Sequence, residues 1–191
     1  EFVRRVEVRG LTHVAVTDHG GVDGAYAIRE VASFEVIIGQ EVRTSAGEIL
    51  GLFIEEPIPV KLSLGLAAAR IRSQGGLVIV PHPFDPLRSS LGLSGLAELG
   101  SGLDAIEGYN GRTLLPGRDA QAQRYAQNQD LPVSLGSDAH SGPELGRSWM
   151  ELPDFSGPQE LLAALRAANY HPATRAPWWL PLSGFALLRW S

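Results

Sequence analysis

Short apolar runs recur along this chain with room for a helix between most of them, and that alternation limits the fold more than any other feature. Strand-like runs stand at 14–17, 36–38, 49–54, 77–80, 105–107, 133–135 and 149–152. Helix-compatible stretches fall at 24–32, 61–73, 117–129 and 158–168. In 61–73, Leu62, Leu66, Ala69 and Ile71 form an imperfect helical stripe among polar residues. Pro158 suits the first turn of a helix after Gly157, with Leu161, Leu162 and Leu165 following at helical spacing. Strands alternating with helices predict βα units, a mainly parallel sheet and an α/β fold. Only the turn-like Ser45-Ala46-Gly47 separates 36–42 from 49–54, so one hairpin interrupts the alternation. Residues 1–10 read as the back half of an amphipathic helix, with Phe2, Val3 and Val6 apolar and Gly10 as its cap.

Five of these runs give way to polar residues. Val14–Thr17 leads into Asp18-His19, and Val36-Ile37-Ile38 into Gly39-Gln40-Glu41. LVIV at 77–80 leads into Pro81-His82-Pro83, AIE at 105–107 into Gly108-Tyr109-Asn110, and VSLG at 133–136 into Ser137-Asp138-Ala139-His140. In a parallel α/β sheet the carboxyl ends of the strands share one rim, where ligands bind. The topology therefore predicts that His19, Glu41, His82, Asp138 and His140 meet. A single histidine at a strand end is more often structural than a ligand, and Asp138 alone would read as a turn former. Recurrence at successive strand ends favours a shared site. Nitrogen and oxygen donors of this kind hold Zn, Mn or Fe. Asp138 and His140, two apart, would point to one side of an extended segment. His13 precedes its strand and His171 follows the last helix; both read as structural.

Composition narrows the partners. The chain has 191 residues, enough for one domain with a full core, and no cysteine, so disulfides and thiolate metal sites are excluded. A net charge of −5 argues against a protein that binds nucleic acid through a broad basic field, and no stable nucleic-acid complex is expected. No apolar run is long enough to span a bilayer, and a cytoplasmic protein is the default expectation. The division expected is one domain over 1–175 followed by an apolar, Trp-rich tail over 176–191, APWWLPLSGFALLRWS.

The motifs VTDHG (16–20), IGQEV (38–42), VPHPF (80–84), IEGYNGR (106–112) and LGSDAHSGPELG (135–146) make the chain resemble the PHP family, named for polymerase and histidinol phosphatase. The resemblance implies a distorted (βα)7 barrel, here lacking its first strand, with two or three divalent metal ions at the carboxyl rim. By motif it makes His19, Glu41, His82, Asp138 and His140 the metal ligands. Glu41, His82 and His140 are then the catalytic set: Glu41 bridges metals, and His82 or His140 protonates the leaving alcohol. Asn110, Arg112 and Arg147 are expected to contact substrate. The activity implied is hydrolysis of a small phosphomonoester or phosphodiester by metal-activated water. A nucleotide is the less expected substrate, because the short interval from His82 to Asp138 leaves little space for the helical insertion that some nucleotide-cleaving members carry. The family's His-x-His motif on the first strand is missing here. A start without Met leads us to expect that motif upstream in the native gene product. The competing expectations are a non-catalytic PHP scaffold with an incomplete site, and a related metal-dependent hydrolase of a non-phosphate substrate.

Overall fold

The structure is a computed structural model that describes residues 1–173; the Trp-rich tail at 176–191 lies outside the described residues. The elements run α1 (Phe2–Val8), β1 (His13–Val16), α2 (Asp23–Arg29), β2 (Glu35–Arg43), β3 (Glu48–Leu52), α3 (Leu64–Ser73), β4 (Leu77–Val80), α4 (Gly92–Leu99), β5 (Ala105–Asn110), α5 (Arg118–Asn128), β6 (Val133–Gly136), β7 (Trp149–Glu151), α6 (Pro158–Leu165) and β8 (Asn169–His171). Strands β1 to β6 form one sheet in chain order. β1 lies parallel to β2, and β4, β5 and β6 are mutually parallel. β3 is antiparallel to both its neighbours, which leaves β1, β2, β4, β5 and β6 all pointing one way. The α/β class and the single hairpin are as expected. The distorted (βα)7 barrel lacking its first strand is met in part: among the described residues the large sheet is a curled half-barrel of six strands, with β1 and β6 as its edges. β7 and β8 pair separately as a short antiparallel ribbon.

Strand alternation sorts the apolar side chains into two cores. Val36, Ile38, Val78, Val80 and Ile106 face one way and pack with Ala25, Ile71, Leu96 and Ala122 from α2 to α5. Their neighbours Ile37, Leu50, Leu52, Leu77, Ile79 and Ala105 face the other way and pack with Leu161 and Leu165 of α6. Thus four helices cover one face of the sheet and α6 covers the other, against the early residues of β4 and β5. The sheet curls towards α6. Gly142 and Gly146, beyond β6, lie against Arg5 and Arg9 of α1, while Glu7 of the same helix accepts a hydrogen bond from Ser33 just before β2 (2.6 Å). α1 therefore touches segments next to both edges. It ends as its sequence predicts: Gly10 has φ 68°, its N–H donates to the Glu7 carbonyl, and the Leu11 N–H donates to Val6.

Candidate metal centre

The face that α6 covers carries acids at its other end. Glu41 lies opposite Leu50 in the β2–β3 register, Glu48 stands two residues before Leu50, and Glu107 two residues after Ala105. All three share the inward face with the apolar residues, but sit nearer the carboxyl rim. Glu48 and Glu107 are buried. His82 follows β4 directly and is 4% exposed. Its Nε2 is 3.1 Å from Glu41 Oε1 and 3.8 Å from Glu48 Oε2. Glu41 turns its other oxygen to His19, whose Nε2 is 3.5 Å away. One donor atom each from Glu41, Glu48 and His82 lies within 4.8 Å of the others, a spacing that a metal ion can gather.

Backbone and second partners hold this arrangement. Glu48 Oε1 accepts from Arg43 Nε at 2.9 Å, which leaves Oε2 facing His82. The His82 N–H donates to Glu107 Oε2 at 2.7 Å, and the residue adopts φ 30°. A non-glycine residue at positive φ costs about 1–3 kcal/mol, and such strain collects at functional sites. Gly136 of β6 gives Glu107 its space, since a Cβ there would collide with Oε1. Burial pushes the Glu107 carboxyl up to about 7, against the charge of His82 and the hydrogen bonds from Asn110 and the His82 backbone, which favour ionisation. For His82, burial pulls the pKa down. The hydrogen bond to Glu41 and the charges of Glu107 and Glu41 outweigh it, so the ring holds its proton above its ordinary value.

A second group of residues lines the mouth. Asn110 Nδ2 donates both to Glu107 Oε2 (2.9 Å) and to Asp138 Oδ2 (3.1 Å), linking the two groups. Asp138 has φ 49°, so it leaves the extended path expected of residues 138–140; its Oδ1 is still 3.4 Å from His140 Nδ1. Arg88 Nη1 donates to Asp138 Oδ2 at 2.6 Å, and Arg112 Nη1 lies 2.7 Å from His140 Nδ1. Of the residues singled out in the sequence, His19, Glu41 and His82 come together directly, and Asn110, Asp138, His140 and Arg112 stand in one bonded chain beside them. Arg147 is exposed, and its side chain has no hydrogen bond or ion pair among the described residues. Sequence reasoning missed Glu48 and Glu107; Arg88, which from the sequence reads either as an anion contact or as a solvated loop residue, is held against Asp138. His13 packs on Phe155 (4.8 Å between rings) and His171 stacks on Trp149 (3.8 Å), the structural roles expected of them.

The donor set fits a divalent cation. Carboxylates from two strands converge on one imidazole, and a buried ring nitrogen, Nδ1, of both His19 and His82 has no hydrogen-bond partner. Imidazole and carboxylate oxygens without thiolates suit Zn, Mn or Fe.

A curled α/β sheet with a His/Glu cluster at its carboxyl rim is able to gather a metal ion, and known proteins share features of both its sequence and its fold. A family model described as PHP-associated matches residues 118–170. This match supports a PHP-domain family for the chain. The protein MJ0417 of Methanocaldococcus jannaschii is 36% identical over 141 residues, covering 68% of this chain and 60% of that protein. The chain spans about 60% of the length of the curated relatives it matches. Two solved structures share the fold. One, from Bifidobacterium adolescentis and provisionally described as a metal-dependent phosphoesterase, has TM-score 0.61 and 16% identity over 74% of this chain and 82% of that one. The other is an amidohydrolase from Chromobacterium violaceum, with sulfate bound and no metal, at TM-score 0.61 and 17% identity over 89% of this chain and 91% of that one. Among the described residues no helix is long and apolar enough to cross a membrane.

Proposed function

We propose that the chain forms the greater part of a metal-dependent hydrolase that cleaves a small phosphomonoester or phosphodiester. We take its open sheet to be completed as a (βα)7-type barrel by a strand carrying the family's His-x-His. The observation that carries the reading is the convergence of Glu41, Glu48 and His82 donor atoms within 4.8 Å at the rim. His19, Glu41, Glu48 and His82 would hold one or more divalent ions, with Asp138 and His140 across the mouth. Bound there, the metal lowers the pKa of water towards neutrality and balances charge on the phosphoryl oxygens.

The chain's own groups do the rest. Glu41 presents its two oxygens to two different imidazoles, so it would share the holding of a divalent ion with either ring. Glu107 fixes the His82 backbone through the N–H it accepts, while Glu41 holds the ring at Nε2. Arg112 has only donors, so its short contact makes His140 Nδ1 an acceptor and puts the ring proton on Nε2; the Asp138 carbonyl, 3.0 Å from the same nitrogen, is the longer contact. His140 would then donate an N–H hydrogen bond to the departing oxygen, and the proton that the alcohol carries away would come from the attacking water. Asn110 spans Glu107 and Asp138 and sets the width of the mouth.

The test uses the protein at its natural length, loaded with Mn²⁺, on p-nitrophenyl phosphate. Turnover is expected, and Glu41→Gln is expected to abolish both turnover and tight Mn²⁺ binding. A metal-loaded protein without turnover removes the phosphoesterase reading. The likeness to an amidohydrolase favours, as second reading, an amide or lactone substrate, to be assayed in the same preparation.

A further inference from the structure

Arg88 stands in a segment that folds back on the site. The His82 carbonyl accepts from the Asp85 N–H (3.1 Å), the Asp85 carbonyl accepts from the Arg88 N–H (3.1 Å), and buried Asp85 Oδ1 accepts from the Leu87 N–H (3.0 Å). Two successive turns thus bring the guanidinium from the His82 side of the site to Asp138. The Arg88 side chain is 22% exposed and that of Asp138 10%. Only Nη1 of Arg88 is bonded among the described residues, although a guanidinium carries five N–H donors. Arg112 repeats the plan two residues further along the motif: Nη1 on His140, Nε 3.9 Å from Glu144, and a side chain 36% exposed.

We propose that Arg88 and Arg112 form an anion clamp at the mouth of the site, anchored by Asp138 and His140, which grips the non-reacting oxygens of a phosphate or phosphate-like dianion. The clamp names the anionic part of the substrate assigned to this site and rests on the proposed function for its catalytic meaning. A guanidinium held at one nitrogen is already oriented, so its remaining N–H groups meet a tetrahedral oxyanion at little entropic cost. Asp138 anchors Arg88 through Oδ2 and keeps Oδ1 on the His140 side, so the clamp does not consume the whole carboxylate. With one guanidinium on Asp138 and the other on His140, the clamp brings two positive charges to an anion and so favours a dianion over a monoanion.

Inorganic phosphate titrated calorimetrically into the folded protein, with and without Mn²⁺, provides the test. Arg88→Gln should weaken phosphate binding at least about tenfold, with Arg88→Lys between it and the wild type, because an ammonium keeps the charge and loses the fork. Mn²⁺ affinity of Arg88→Gln should stay near that of the wild type. Equal phosphate affinity in wild type and Arg88→Gln overturns the clamp. So does a parallel loss of Mn²⁺ binding, which would make Arg88 a support for the metal ligands. Should Arg88→Gln fail to fold, Arg88→Lys decides alone: a phosphate affinity equal to wild type overturns the clamp. Absence of Mn²⁺ binding in the wild type would sink the proposed function separately, and the Mn²⁺-free ratio of wild type to variant would still judge the clamp.

Discussion

Glu107 is a carboxylate that the fold keeps dry. Its oxygens meet the His82 N–H, the Asn110 amide and the backbone of Gly136, and burial lifts its pKa to about 7 from an ordinary 4.5. A folded-state pKa above the unfolded one means that the group's contribution is complete below about pH 4.5 and is lost as pH rises through about 7. The difference amounts to about 3 kcal/mol. In chelator-treated protein, Glu107→Gln should therefore gain on the wild type by about that amount between pH 4.5 and 8, read by urea unfolding at each pH. A gap that does not change with pH would refute the burial argument. Neither Glu107 nor Glu48 was legible in the sequence. An acid within a strand ordinarily reads as its wet face, and the antiparallel course of β3 puts the start of that strand, not its end, at the rim. Glu41 and His82 were legible because each follows an apolar run that points to the shared rim.

Among the elements, α6 matters most to the site although none of its residues belongs to the cluster. Leu161 and Leu165 pack on Leu52, Leu77, Ile79 and Ala105, beneath the acids on the same face. Leu165→Ala removes a side chain that is 2% exposed, and should cost about 2–5 kcal/mol by leaving a cavity. Denaturant melts should show that loss, while Mn²⁺ stoichiometry at low temperature stays that of the wild type, because α6 supports the sheet and supplies no donor. The leucine spacing and Pro158 announced this helix. α4 was not announced: its sequence, GLSGLAEL, carries two glycines within eight residues, which weakens any helical signal, and packing of Leu96 and Leu99 on the core overrides it. β8 escaped notice because three residues, Asn169–His171, are too few to show alternation.

At the scale of the whole molecule, the sequence carried the common rim and, through the missing first motif, a sheet one strand short of its barrel, but not which strands would stand at the edges. Closure depends on edge pairing, and edges leave no mark in a hydrophobic pattern. The rim, by contrast, joins five strand ends, so a ligand there ties together segments from β1 to β6 and should stabilise the fold as a unit. With Mn²⁺ at about a hundred times its dissociation constant, unfolding should cost about 2.7 kcal/mol more, raising Tm by about 5–10 °C; Glu41→Gln should show little of this rise. A wild-type Tm indifferent to Mn²⁺ would count against any cation at the rim.

The order in which a ribosome delivers these parts gives the placement of α6 a further meaning. Every strand of the large sheet, and every acid and imidazole of the cluster, emerges before Pro158–Leu165 is translated. Until that last leucine-bearing turn clears the exit tunnel, the nascent chain holds its charged groups above an underside of bare leucine and isoleucine. Translation arrested between β7 and α6 should thus yield a product that chaperones retain.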